Sequence, residues 1–417
     1  MELLRKYSAM FIPVGIVLVA VVLIVATILM GGSLKKQMAT SVTQNRTLQQ
    51  LLNSAVPAKQ WEAEKAYQDA HEKDAEAIAA IGSQTSQRPL LMYTVFPEPD
   101  PNETSNTIFH NFAKAYKQGI DSLLSRMKAD RPYTAMEITT STKAAAGSTG
   151  PEVLRLTDVL CKQRAQSMQV YADPYAFVGY DYGTGLSLTN RDRAVMECWY
   201  WQVAYWIQED IADTIIAANS GSKNVLSAPV KRLLGISFAV PDSTSLTRMA
   251  KVASPGGEMS FVPAATSMTT EIVVDPEWPK YVTTASDTFV SPTPTGRITD
   301  DRIDVVHFSF AVVLRASHLL PFMEELCTAK QHVFTGFDGK SPPQESMHNQ
   351  ISILGCLALP VELAMDEALY YRYGDDALYK VNFTCEYIFD RGGYDAIKPE
   401  IVKNPPTAAG TGMYMEE

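Results

Sequence analysis

Six histidines, His71, His110, His307, His318, His332 and His348, offer the broadest chemistry in the chain, since imidazole ligates metals and moves protons near neutral pH. No two lie at i, i+4 and none stands in HExxH, so no helix face presents a metal pair. His307 falls inside an apolar run and His318 opens a helical pattern; both read as core or cap residues. Paired carboxylates are no more promising. Glu324 and Glu325 are adjacent on a helical pattern and cannot face each other, Asp300, Asp301 and Asp304 surround a loop-to-strand junction, and Asp375 and Asp376 lie in a turn. None has the alternating oxygen spacing of a calcium loop. Cys161, Cys198, Cys327, Cys356 and Cys385 include no CxxC, which argues against zinc and for small buried hydrophobes. Their odd number leaves at least one thiol free. GYDYGTG at 179–185 lacks the GxGxxG spacing and the preceding strand of a dinucleotide site, so it reads as turn glycine. There is neither a GxSxG elbow nor a Walker loop. The expectation is a protein without catalytic residues, cofactor, metal or small-molecule substrate.

Aromatic residues suggest recognition instead. Trp199, Tyr200, Trp201, Tyr205 and Trp206 fall within eight positions, and at about 100° per residue they project all round one helix. Some must be buried between a sheet and a neighbouring segment. The remaining flank, carried by Trp201 and Tyr205, is a candidate partner surface, because exposed Trp and Tyr are interface material.

The elements that would position these residues begin at the N-terminus. Residues 7–34 carry no charge, and MFIPVGIVLVAVVLIVATILM at 10–30 is almost wholly apolar. As a helix it spans roughly 30 Å, the hydrocarbon thickness of a bilayer. Arg5 and Lys6 precede it as they would in a signal peptide, but the run exceeds the about 7–15 apolar residues of a signal, and ILMGGS offers no small-x-small cleavage site. The expected layout is a cytoplasmic tail at 1–9, a retained transmembrane helix at 10–32 and an exported remainder. Arg5 and Lys6 face Lys35 and Lys36 across the span, so charge alone leaves the orientation nearly balanced.

A helical stalk is expected over 33–87. A heptad frame places Leu34, Ser41, Leu48 and Ala55 at one seam position and Met38, Asn45 and Leu52 at the other. A polar Asn45 at such a seam fixes register and partner number at some cost in stability. The alternative is a solvated helical extension of the anchor. Pro57 interrupts the helix, and residues 58–81, rich in alanine and mixed charge, form a second, mostly wet helix.

The whole chain has a net charge of −10 and no lysine or arginine run, which argues against nucleic acid. With 46% hydrophobic residues it can bury a real core. A helical and loop region is expected over 88–188, with helices at 105–127 and 153–168, a loop at 139–150 and an irregular stretch at 171–185. A second region, 189–396, opens with a strong helix at 190–218, capped by Thr189 and followed by Gly221. Strands are expected at 225–240, 303–315, 332–336, 351–358 and 378–390, with a helix at 317–330. A Ser/Thr/Pro-rich insertion fills 242–297, with one short strand at 271–275, and 397–417 is a tail.

The order helix, strand, strand, helix, strand, strand predicts an α+β fold, a ferredoxin-like αββαββ sandwich with extra helices and a long insertion. A single-pass anchor, a helical stalk and this order together resemble the PilO and GspM inner-membrane components of type IV pilus and type II secretion machines, and the PilO-like proteins of the Planctomycetes. The stretches carrying the resemblance are RPLLMYTVFPEPDP at 88–101, TGRITDDRIDVVHFSFAVVL at 295–314 and YYRYGDDALYKVNFTCEYIFDR at 370–391. MELLRKYSAM at 1–10 shares only a leucine pair with the INLLP-type peptide of PilN, which favours the PilO or GspM side. The resemblance implies a periplasmic, non-catalytic scaffold, a homodimer or a heterodimer with a PilN-like membrane protein, paired through stalk and sheet. A stalked ligand-binding or surface interaction protein is the alternative.

Overall fold

The structure, a computed structural model, describes residues 8–54, 58–103, 105–145, 150–185, 190–238, 278–284, 295–348, 350–361 and 370–404. It divides into two compact units, Met1–Ala77 and Ile78–Glu417. Ala55, Pro57, Thr189, the expected strand at 271–275, most of the expected insertion and most of the expected tails lie outside the described residues.

In the first unit α1, Ser8–Ser54, is one unbroken helix of 47 residues, about 70 Å at 1.5 Å per residue. The apolar segment and the expected seam positions from Leu34 to Leu52 therefore share a single rod. It is the one helix among the described residues long and apolar enough to cross a membrane. The next helix, α2 at Ala58–Thr85, carries exposed Trp61 and Tyr67, with Tyr67 edge-on to His71 one turn on.

The second unit is built on a six-stranded sheet. Its strands are β1 (Ala129–Asp130), β2 (Val170–Tyr171), β3 (Val230–Ser237), β4 (Ile303–Arg315), β7 (Ile351–Pro360) and β8 (Leu378–Asp390). They lie in the order β1-β2-β3-β4-β8-β7, with β1, β2 and β3 parallel and β3, β4, β8 and β7 antiparallel. β4 and β8 coincide with the expected strands, and their thirteen-residue register runs unbroken from Ile303 opposite Asp390 to Arg315 opposite Leu378. Val306, Phe308, Phe310 and Val312 of β4 share one face with Tyr387, Cys385, Phe383 and Val381 of β8. That face is covered by α3 (Thr107–Arg126), α6 (Arg191–Ala218) and α7 (Leu319–Cys327), whose Phe112, Tyr116, Trp199, Trp206, Phe322 and Leu326 complete the core.

On the opposite face a smaller core joins Ala165 and Met168 at the end of α5 (Gly150–Ser167) to Tyr171, Ala311, Val313, Tyr371 and Tyr373. Burial on both faces explains why β4 reads as a nearly continuous apolar run. Mid-sheet, α6 sits on β3 through Asn219, whose side chain accepts from Val230 N at 2.8 Å and donates to Val230 O at 2.9 Å.

Three local expectations change. Asn190 caps α6, its side chain accepting from Arg193 N at 3.2 Å. The stretch expected as a loop begins within a helix, α4 (Ala135–Ala145), nucleated by a capping box: Glu137 N donates to Thr134 Oγ1 and Thr134 N to Glu137 Oε2, at 3.2 and 2.7 Å. The strand expected at 332–336 is β5 (Lys330–Phe334), which stays out of the main sheet and pairs with β6 (Gln344–His348) as a separate hairpin.

Candidate functional site

Ionisable groups converge under that hairpin. Arg88 leaves the end of α2 in a segment stitched between α6 and β8. Ser86 Oγ accepts from Asp390 N at 2.8 Å, Pro89 O accepts from Trp206 Nε1 at 2.8 Å, and Leu91 N donates to Gln202 Oε1 at 2.8 Å. So anchored, the Arg88 guanidinium reaches three partners. Its Nη1 donates to Asp210 Oδ2 at 3.0 Å and to Tyr387 Oη at 2.8 Å, while Nη2 lies 2.8 Å from Glu209 Oε2 and 2.9 Å from Asp210 Oδ1. Tyr387 also donates to Asp210 Oδ2 at 2.5 Å.

The hairpin closes the cluster from the other side. His348 Nε2 is 2.9 Å from Asp210 Oδ2, the two Nδ1 atoms of His348 and His332 are 2.9 Å apart, and His332 Nε2 is 3.0 Å from Gln87 O. The Arg88, Asp210 and His348 side chains are each only 2% exposed. Burial alone would raise the Asp210 carboxyl, but the charges of Arg88 and then His348 override it and hold the group well below the usual carboxylate range. Nearby, burial pushes Asp213 up to about 6 despite Arg126, which pairs with both Asp213 and Glu209. Burial, then Arg88 and His348, bring His332 down to about 4.

These groups form a chain from carboxylate to imidazole to imidazole, within hydrogen-bond distance throughout, which can store and pass a proton. Asp210 Oδ2 already takes Arg88 Nη1, Tyr387 Oη and His348 Nε2 in a buried site, which leaves that oxygen closed to a substrate atom. The arrangement is built to tie the hairpin, α6, β8 and the segment after α2 together. Elsewhere, Lys398 donates to Asp304 Oδ2 at 2.6 Å beneath Tyr394, and Lys231 donates to Asp376 Oδ2 at 3.0 Å; these are buried ties of the same kind. Among the described residues no three His, Cys, Asp or Glu side chains are grouped to hold a metal ion.

The residues singled out from sequence fall differently. Leu34, Met38, Leu48 and Leu52 are 57–72% exposed, and Asn45 is exposed with them, so nothing in the first unit covers the seam. The flank expected to be uncovered is not. Trp201 is 5% exposed, stacked on Tyr182 with centroids 4.9 Å apart, edge-on to Tyr116 and Trp278, and cradled by Gly179. Tyr205 is half-buried against Tyr116 and Gly119. The turn at 179–185 and the segment at 278–281 supply the covering that helical periodicity could not foresee. His332 and His348, sixteen positions apart, were missed as a pair; a strand pattern with both on the inward parity of one hairpin was the available signal.

Compared with family models, with curated proteins and with solved structures, the chain has no match.

Proposed function

We propose that the protein is a single-pass, membrane-anchored scaffold of the PilO or GspM kind, without catalysis of its own, that aligns components of a type IV pilus or type II secretion-like machine. The observation that carries this reading is the continuity of α1: an apolar segment able to span a bilayer runs without a break into an exposed seam of Leu34, Met38, Asn45, Leu48 and Leu52. An uncovered apolar stripe on a charged helix is a surface that a second helix buries. In this reading residues 10–32 lie in the bacterial inner membrane and the bulk of the chain is periplasmic.

Two features of the second unit support the same reading. The succession α6, β3, β4, α7, β7, β8 with the antiparallel order β3-β4-β8-β7 is what a ferredoxin-like αββαββ sandwich requires, with β1, β2 and the β5–β6 hairpin as additions. Strand β7 ends the sheet; residues 351–359 carry no charge, and Leu357 and Leu359 are about half exposed. The register slips once, between Ile353 and Gly355, and Pro360 closes the strand, but the uncharged run from Gly355 to Leu359 leaves an apolar edge that suits a partner strand. The partner is a second copy or a PilN-like membrane protein.

The test is the protein mass in detergent micelles, by light scattering corrected for bound detergent, of the full chain and of a form beginning at Arg88. A dimer that weakens or dissociates when the stalk is removed supports the scaffold. Monomers of both forms at high concentration, and no co-purifying membrane protein, would favour the stalked ligand-binding alternative.

A further inference from the structure

The hydrogen-bond geometry under the hairpin fixes how many protons the two histidines hold. Gln87 O can only accept, so the His332 Nε2 facing it at 3.0 Å carries a hydrogen. Asp210 is an ionised carboxylate that already accepts from Arg88 and Tyr387, so the His348 Nε2 at 2.9 Å carries one as well. The Nδ1 atoms, 2.9 Å apart, need one hydrogen between them. That makes three hydrogens on four ring nitrogens, whereas two neutral imidazoles hold two and two imidazolium ions hold four. The docked pair therefore carries a single positive charge.

We infer that the β5–β6 hairpin is clamped to the second unit by this one-proton histidine pair, and that mild acid releases it by adding a second proton. With a fourth hydrogen both Nδ1 atoms become donors, pointing at each other across 2.9 Å, and the contact becomes a repulsion between two cations.

The surroundings carry charge of both signs; Arg88 disfavours a further proton on His332, while Asp210 and the Gln87 carbonyl favour it, by less than burial and Arg88 oppose it. The Arg88 guanidinium bonds Asp210 from the segment after α2, and the Lys330 ammonium lies on the same strand as His332, turned to the carbonyls of Glu325, Leu326 and Thr328 at the end of α7. Glu325 and Cys327 of α7 face Lys330. From α6 come Asp210, Glu209 and Asp213, from α3 Arg126, and from β8 the Tyr387 hydroxyl. The anions are already engaged by Arg88 and Arg126, so a further cation on His332 has no free carboxylate in the cluster.

The sign follows from linkage. His332 titrates near 6.5 when released and at about 4 when docked, so the released hairpin binds more protons between those values. With one proton held by the docked pair and up to two by the released rings, docking is strongest near pH 6.5 and weakens as the pH falls below it, by at most about tenfold per unit; solvent screening at the half-buried His332 makes that an upper bound. Asp213 titrates in an overlapping range with the opposite sign, because its raised value means that the folded form takes up the proton more readily. On the alkaline side, loss of the shared proton leaves one of the three contacts without its hydrogen.

The test is hydrogen exchange of peptides covering residues 330–348 in the full chain in detergent, read by mass spectrometry from pH 7.5 to 4.5 and corrected for intrinsic exchange. The hairpin of the wild type is expected to lose about fivefold of its protection between pH 6.5 and 5, while peptides from β4 and β8 keep theirs. His332→Asn keeps an acceptor near Nδ1 but cannot take up a second proton, and its hairpin protection is expected to be flat over that range. An unchanged wild-type hairpin, or an equal slope in His332→Asn, overturns the inference. Should the variant not fold, the ¹⁵N spectrum of the wild-type rings decides. One unprotonated nitrogen among the four at pH 7, and none in the acid-released state, is expected; two at pH 7 overturns it.

Discussion

Replacing Arg88 by methionine is the sharpest test of the buried cluster. Methionine preserves most of the apolar stem and removes four polar contacts at 2.8–3.0 Å to Asp210, Glu209 and Tyr387. Removing one partner of a buried pair costs about 3–5 kcal/mol, because the remaining charge stays buried without compensation. Asp210 keeps His348 and Tyr387, which sets the expectation for Arg88→Met near the lower end, about 3 kcal/mol. The assay is urea unfolding of the full chain in mild detergent followed by tryptophan emission. Trp206 reports directly, since its indole donates to Pro89 O next to Arg88. The double variant Arg88→Met, Asp210→Leu removes both charges, and its loss should fall at least 1 kcal/mol or so short of the sum of the single losses. Wild-type Asp210, held below its ordinary range, contributes stability that is present above about pH 4 and lost as the pH falls further. Without Arg88 the folded value rises toward or past the unfolded one, so that acid loss should shrink or reverse. A cost under about 1 kcal/mol, an additive double variant and an unchanged acid limb would together refute the claim that Arg88 neutralises this site.

Three further outcomes are expected. Trp201→Ala should cost about 3–5 kcal/mol in the same unfolding assay and leave the mass of the assembled protein unchanged, as befits a core residue. Gly179→Ala should lose at least about 2 kcal/mol, because Gly179 has φ of +78° and an added Cβ would stand 2.2 Å from the Trp201 ring. If the stalk pairs as proposed, Asn45→Leu should raise the thermal stability of the pair and broaden its distribution of masses in light scattering; a sharper single species would show that Asn45 is not a seam residue.

What the sequence revealed depended on how local the signal was. β4 and β8 are long, strongly patterned and bounded by charge and turn residues, so their limits were readable to the residue. The helix α6 was equally plain, with Asn190 rather than its neighbour as cap. The strand β6, QESMH, contains one large apolar residue and owes its conformation to β5, which no local pattern can state. In α4 the Thr134–Glu137 box was present, but Ser/Thr-rich composition masked it. Whether Trp201 is exposed was undecidable from its own helix, because Tyr182 and Trp278 come from separate segments. The ionic cluster was hidden for the same reason: the carboxylates of α6 meet Arg88, Tyr387 and the two histidines only through elements far apart in the chain.

The sequence distance spanned by that cluster has a consequence for how the protein is made. Arg88 lies 122 residues before Asp210 and 299 before Tyr387, and Asp210 lies 138 before His348. Closing such long loops is slow and gains nothing until the last partner arrives. A chain synthesised from its N-terminus holds Arg88 for most of its elongation with no complete set of partners to receive it. Completion of the second unit is therefore a late, nearly all-or-none event, and the growing chain must be kept from collapsing meanwhile. A premature stop codon anywhere before position 387 should yield not a shorter working unit but a polypeptide for quality control to remove.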